Sequence, residues 1–233
     1  MPLARTYSVA LIGVTGHVVE IEADIANGLP AVIVVGLPDT ALREARDRIR
    51  AAITNSREEW PQRKITVGLS PASLPKRGSW FDLAIAIGIL AAAGKVPRAA
   101  AAGVMFFGEL GLDGQLRPVR GVLPAVARAA EEGFGKVMVA EQNAAEAALV
   151  PGVRVIAVNS LTRAADWLRG LSGPDGQPAA VEYQGAIVKL RLEAEWGDEL
   201  TVTLTDQSFY TAPLAEGDIV AIDWDDAEAH VVS

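Results

Sequence analysis

The sequence predicts an α/β (α+β) sandwich followed by a small all-β, OB-like half-barrel, and three observations carry that prediction. Strand-like and helix-like segments alternate as far as residue 170, the pattern expected of a sheet with helices packed against it. Residues 171–180, LSGPDGQPAA, are rich in Gly and Pro and read as a linker, and beyond them only strand-like runs follow. Charge changes at the same place: residues 1–170 hold 19 Lys and Arg against 16 Asp and Glu, whereas residues 171–233 hold 2 against 13. The expected organisation is therefore a first domain over 1–170, a linker over 171–180 and a second module over 181–233.

Within the first domain, Thr6 to Gly13 and His17 to Ile25 read as two strands, the second leaving Glu20, Glu22 and Asp24 on a wet face. The intervening VTGH reads as a hairpin turn. AVIVVG, from Ala31, is a continuous apolar run that fits a strand buried on both faces. A helix then starts at Pro38-Asp39-Thr40, with Asp39 or Thr40 as N-cap; Leu42, Ala45, Ile49 and Ala52 face the sheet, and Arg43, Arg46, Asp47 and Arg50 face water. KITVGL follows as a short β-branched strand.

Ser70 to Asp82, SPASLPKRGSWFD, joins that strand to a helix over Phe81–Ala93 that is apolar all round and predicted to be buried. Asp82 suits the positive end of this helix. Strand-to-helix junctions of this kind expose backbone N–H groups and often carry function, although the same prolines fit a stiffened connector. MFFGEL (Met105–Leu110) reads as one core strand. Glu109 and Asp113 could be offered as a general acid-base pair, but the turn LDGQ accounts for Asp113. A helix with Pro124 in its first turn, the strand VMVA, the helix EQNAAEAALV, the strand RVIAV and the helix SLTRAADWLRG complete the alternation. Past the linker, VEYQGAIVKLRLEA, ELTVTLTDQ, DIVAIDW and AHVVS read as strands.

The 233 residues include no cysteine, which removes disulfides, thiolate nucleophiles and Cys-ligated metals. His17 and His230 lie far apart and form no ligand cluster, so neither metal nor cofactor is expected. The start, MPLARTYSVALIG, reads as a strand rather than a signal peptide, and the most apolar helix is well short of the roughly 20 residues that span a bilayer. A cytoplasmic chain without membrane insertion is expected. Residues 40–77 hold nine Lys and Arg against four Asp and Glu. Arg43, Arg46, Arg50, Lys76 and Arg77 are the candidates for one electropositive surface that meets DNA phosphates weakly and without sequence preference, or an acidic partner. The alternative is a solvated helix face on which Glu44 and Asp47 pair the arginines.

Three long segments, GLPDTALREARDRIRAAI (Gly36–Ile53), VGLSPASLPKRGSWFDLAIAI (Val67–Ile87) and GELGLDGQLRPVRGVLPAV (Gly108–Val126), together resemble the N-terminal domain of magnesium-chelatase-like ATPases of the ComM/YifB type. That domain is similar to the proteolytic domain of Lon proteases, whose fold ribosomal protein S5 shares. The resemblance implies that Trp80 stands at the Lon nucleophile position and Leu123 at that of its lysine, so the Ser-Lys dyad is not carried over and no catalytic residue is expected. Val181, Tyr183, Gly185, Gly217, Asp218 and Trp224 resemble the TOBE module of ABC importer ATPases. No GxxxxGK followed by Ser or Thr occurs, so neither family's motor is expected here.

Three functions follow as expectations. The first is a non-catalytic Lon-like accessory domain guiding DNA or arranging AAA+ ATPase subunits in an oligomer. The second is a regulatory or ligand-sensing TOBE module that meets an ABC transporter ATPase. The third is a peptidase using Ser70, Ser73 or Ser79 with Lys76.

Overall fold

The computed structural model describes residues 3–36, 39–76 and 79–171, and the strand residues 181–184, 187–193 and 199–205; for 39–43 and the strands beyond 180 only the backbone is described. Two compact units result, Met1–Ala186 and Ile187–Ser233.

The first unit opens with a hairpin of β1 (Ala4–Ile12) and β2 (Thr15–Ala26), in register from Ile12↔Thr15 to Ala4↔Ala23. The turn falls at Gly13-Val14, a little before the VTGH expected for it, and Gly13 takes φ +63°, where a side chain would be strained. β3 (Ala31–Val35), α1 (Asp39–Asn55), β4 (Lys64–Ser70), α2 (Asp82–Ala92) and α3 (Arg98–Ala102) follow. Then come β5 (Met105–Phe107), the two-residue strands β6 (Glu109–Leu110) and β7 (Leu116–Arg117), α4 (Val122–Glu131), β8 (Lys136–Ala140), α5 (Ala144–Ala148), β9 (Arg154–Val158), α6 (Leu161–Arg169) and β10 (Val181–Gln184). Seven strands form a mixed sheet in the order β9-β8-β5-β1-β2-β4-β3, with β10 added antiparallel outside β9. β1, β5, β8 and β9 run parallel; β2 is antiparallel to both of its neighbours, β1 and β4, and β3 lies parallel to β4. This mixed sheet with its helices is an α/β layer of the Lon/S5 kind.

Side-chain alternation splits the core in two. Phe106, Met138, Ile156 and Val158 face one side with α1, α2, α3 and α6; Phe107, Val139, Val155 and Ala157 face the other with α4 and α5. α2 is the centre of the first side, with all eleven of its residues buried as its all-round apolarity predicts. It lies close on the hairpin: the Thr6 hydroxyl donates to the Ala84 carbonyl at 2.8 Å, and a Cβ at Gly88 would stand 3.3 Å from that hydroxyl oxygen.

Three expectations need correction. β3 is not buried on both faces. It is the outermost strand, with Val34 buried but Ile33 41% and Val35 54% exposed, because only its Val32 and Val34 face is packed, against α1. MFFGEL is not one strand, since it breaks at buried Gly108, whose N–H donates to the Trp80 carbonyl and whose carbonyl accepts from the Leu83 N–H. VEYQGAIVKLRLEA is also divided, because Val181–Gln184 pairs with β9 in the register Val181↔Ala157. In the second unit, β11 (Ile187–Glu193) and β12 (Glu199–Thr205) form an antiparallel pair in register from Ile187↔Thr205 to Glu193↔Glu199. DIVAIDW and AHVVS, and with them the expected half-barrel, lie outside the described residues.

The contrast between core and edge is measurable. Ile65→Ala, fully buried on β4, is expected to cost about 2–5 kcal/mol in urea unfolding, whereas Ile33→Ala on the edge is expected to cost less than about 1 kcal/mol. Equal losses would place β3 inside a core.

Candidate functional site

The loop between β4 and α2 is folded onto its own polar groups. Lys76, expected on an exposed cationic surface, is instead 1% exposed, and its Nζ donates to the carbonyls of Pro71 and Leu74. The Pro71 carbonyl also accepts from the Leu74 N–H at 3.3 Å, so the lysine adds a second donor to that turn and supplies one to the Leu74 carbonyl. Burial holds its ammonium below the ordinary lysine range. Ser79 donates to Glu109 Oε2, and Glu109 Oε1 lies 3.8 Å from Arg117. Asp113 accepts from the Gln115 N–H at 3.1 Å, the turn chemistry that LDGQ predicts for it.

Asp82, at the first turn of α2, is the most constrained group of the site. Arg48 on α1 grips it with two hydrogen bonds, Nε to Oδ2 at 2.6 Å and Nη2 to Oδ1 at 3.0 Å, and the Leu110 N–H adds a third at 3.3 Å. Burial nevertheless outweighs these contacts and pushes the carboxyl up from the ordinary 3.8 to about 6. The sequence contained a signal for Arg48: with Ala45, Ile49 and Ala52 it occupies the i, i+3, i+4, i+7 positions that face a core, so a cation there needs a buried anion.

Trp80 is wedged against both halves of the core, its ring edge-on to Phe107 at 5.7 Å, and its indole N–H is buried without an acceptor. The segment before α4 is fixed from below. The buried Asn143 side chain both accepts from the Val119 N–H and donates to the Val119 carbonyl, each at 2.9 Å. Gly121 adopts a left-handed conformation, and the Leu123 N–H donates to Glu146 Oε1 at 2.9 Å, so a carboxylate caps the helix start from another element. Leu123 itself is 38% exposed. Asn143 and Glu146 do not stand out in the sequence, where EQNAAEAAL shows only a polar helix start.

The predicted basic stripe is divided. Arg46 lies 3.0 Å from Asp47, and Arg50 is exposed with its guanidinium 5.9 Å from the Trp60 ring centre. The Arg43 side chain and all of Arg77 lie outside the described residues. Lys76 does not join Arg46 and Arg50 on the surface, since its own loop carbonyls take it inward. Among the described residues no group of His, Asp and Glu converges as metal ligands, and no helix is long and apolar enough to cross a membrane.

A family model described as subunit ChlI of Mg-chelatase matches residues 21–143, and a TOBE domain model matches residues 175–232. An uncharacterized protein of Mycobacterium tuberculosis is 50% identical over 177 residues, which is 76% of this chain and 35% of that protein. Competence protein ComM of Haemophilus influenzae is 41% identical over 206 residues, 88% of this chain and 39% of the relative. YifB of Escherichia coli is 39% identical over 170 residues, 73% of this chain and 33% of the relative. The chain thus spans about a third of the length of the curated relatives it matches.

Protonation of Asp82 gives the site a pH signature. The folded chain holds this proton more tightly than the unfolded one, so the stabilisation is fully present below about pH 4 and is lost as pH rises through about 6. Urea unfolding should therefore show the stability of the wild type falling relative to Asp82→Asn across that window, with a constant difference above about pH 7. Arg48→Met, which strips the partner from a buried charge, should cost about 3–5 kcal/mol at pH 7 and move the window to higher pH. A wild-type to Asp82→Asn difference that is flat throughout would refute this assignment.

Proposed function

The chain belongs to the family of the ChlI subunit of Mg-chelatase, with ComM and YifB among its relatives, and from that premise we propose that it is a non-catalytic, cytoplasmic accessory domain that guides DNA or arranges AAA+ ATPase subunits. The observation that carries this reading is the loop over residues 70–82. Its lysine is spent on the carbonyls of Pro71 and Leu74, its Ser79 on Glu109, and Trp80 and Leu123 occupy the positions that the Lon resemblance assigns to nucleophile and activating lysine. The Ser79 hydroxyl is bonded to Glu109 and not to the Lys76 amine, so the lysine that a Ser-Lys mechanism needs as base is engaged elsewhere. The peptidase reading with Ser70, Ser73 or Ser79 would need the Lys76 amine released from its loop.

The DNA part of the proposal rests on α1. Arg50 and, after breaking its contact with Asp47, Arg46 can present guanidinium groups to phosphates, with Arg43 on the same helix and Arg77 in the loop as further candidates. Such contacts bind weakly, ignore sequence and release counterions. The acidic residues beyond 170 compete for the same cations.

A second reading is favoured by the TOBE match over residues 175–232: a regulatory or ligand-sensing module that contacts an ABC transporter ATPase. The two readings divide the chain into a first domain over 1–170, a linker over 171–180 and a module over 181–233, each carrying its own partner.

In a salt titration of fluorescent duplex DNA, the chain is expected to bind weakly at about 50 mM salt and to lose affinity steeply as salt rises. Arg43→Ala, Arg46→Ala and Arg50→Ala combined should reduce both affinity and salt slope; an unchanged slope would make α1 a solvated face only. Limited proteolysis of the full chain should cut first between Leu171 and Ala180, and a first cut inside residues 1–170 would count against the proposed division.

A further inference from the structure

Over the half of the hairpin away from α4, no helix among the described residues packs on one face of the strands β1, β2, β4 and β3. Register sets Arg5, Glu22, Gly68 and Val35 in one row across it and Asp24, Thr66 and Ile33 in the next. The apolar side chains of Ile33 and Val35 are 41% and 54% exposed at its margin. Glu20, Glu22 and Asp24 form an alternate acidic line along β2. Arg5 bridges Glu20 at 3.2 Å and Glu22 at 3.0 Å, while neither Asp24 nor Lys64, at the end of β4, has an ion pair among the described residues.

Gly68 is the informative residue. It sits inside a regular ladder, paired to Glu22 on one side and Val35 on the other, so it marks no bulge. Its φ is not in the left-handed region, and a Cβ built on it meets nothing within 4 Å. By contrast, a Cβ at Gly36 would strike the Leu69 carbonyl oxygen at 2.3 Å, so that glycine is explained by crowding. Glycine inside a strand weakens it, and where neither backbone nor neighbours require it, the remaining physical reason is close approach by another backbone.

We propose that this open half-face is a docking surface for an extended, cationic, β-branched segment of a partner protein. The partner backbone lies over Gly68, its apolar side chains cover Ile33 and Val35, and its Lys or Arg side chains meet Asp24, the carboxylate of the line without an ion pair among the described residues, with Glu22 beside it already bridged by Arg5. Charge selects this occupant over the alternatives. Phosphates are repelled by the acidic line, and a two-fold contact with a second copy would set that line against itself. The small area makes the contact weak and rapidly exchanging.

The test uses the full chain, isotope-labelled for NMR, with three short capped peptides that alternate Lys with Val, Glu with Val, and Lys with Ser. The Lys-Val peptide should shift resonances of Glu22, Ile33, Val35 and Gly68, the Lys-Ser peptide should bind more weakly, and the Glu-Val peptide should not bind. Gly68→Val should leave the urea midpoint unchanged or raised and yet weaken the Lys-Val peptide about tenfold or more. Glu131→Lys on α4, away from this face, controls for the overall charge and should leave the affinity within about twofold. A marked fall in the urea midpoint of Gly68→Val would show that the fold itself needs the glycine and overturn the proposal. So would shifts that land elsewhere, or concentration-dependent self-association in sedimentation that Gly68→Val abolishes.

Discussion

A carboxylate buried at the head of a wholly buried helix is the constraint from which the site follows. α2 has no wet side, so Asp82 cannot reach solvent, and a lone buried charge would cost several kcal/mol. Arg48 must come from α1 to meet it, which fixes where α1 lies on the sheet. The Leu110 N–H must point at the same carboxylate, which requires the strand after β5 to break at Gly108 and turn toward the loop. One charge thereby orders a helix, a loop and a strand break that are remote from one another in sequence. Even with those partners the carboxyl remains at about 6, so the arrangement offsets burial without cancelling it.

The layers were legible where a periodic pattern had only one solution. An eleven-residue helix without a polar side can only be central, and strand-helix alternation from residue 105 to 169 can only build a parallel block with helices against it. Composition misled at AVIVV, because a run of β-branched residues describes a strand equally well at the middle and at the rim of a sheet; position is decided by which neighbour pairs with it, and that information is nonlocal. Lys76 misled for a related reason. Counting cations treats each as solvated, but a lysine four or five residues from a proline carbonyl can close its own loop, and its long stem covers apolar surface as it does so. Arg48 was readable from its helix position, whereas the clamp of Asn143 on Val119, across a separation of 24 residues, left no trace in local sequence.

In the loop over 70–82 the Ser79 hydroxyl, the Lys76 amine and the Asp82 carboxylate are each taken up by partners within the loop or on the elements beneath it. Rigid positioning of Trp80 is what these bonds achieve together: the Trp80 carbonyl is held by Gly108, and the ring is pressed against Phe107.

Charge that remains available lies on opposite sides of the sheet. The outward arginines of α1 stand above the face that α1 and α2 cover, and the carboxylates of β2 line the other face. At least a helix diameter of about 10 Å separates the two, which exceeds the screening length of about 8 Å at physiological salt. The field of each set of charges is therefore largely screened at the other, so the cationic and the acidic surface act independently of one another.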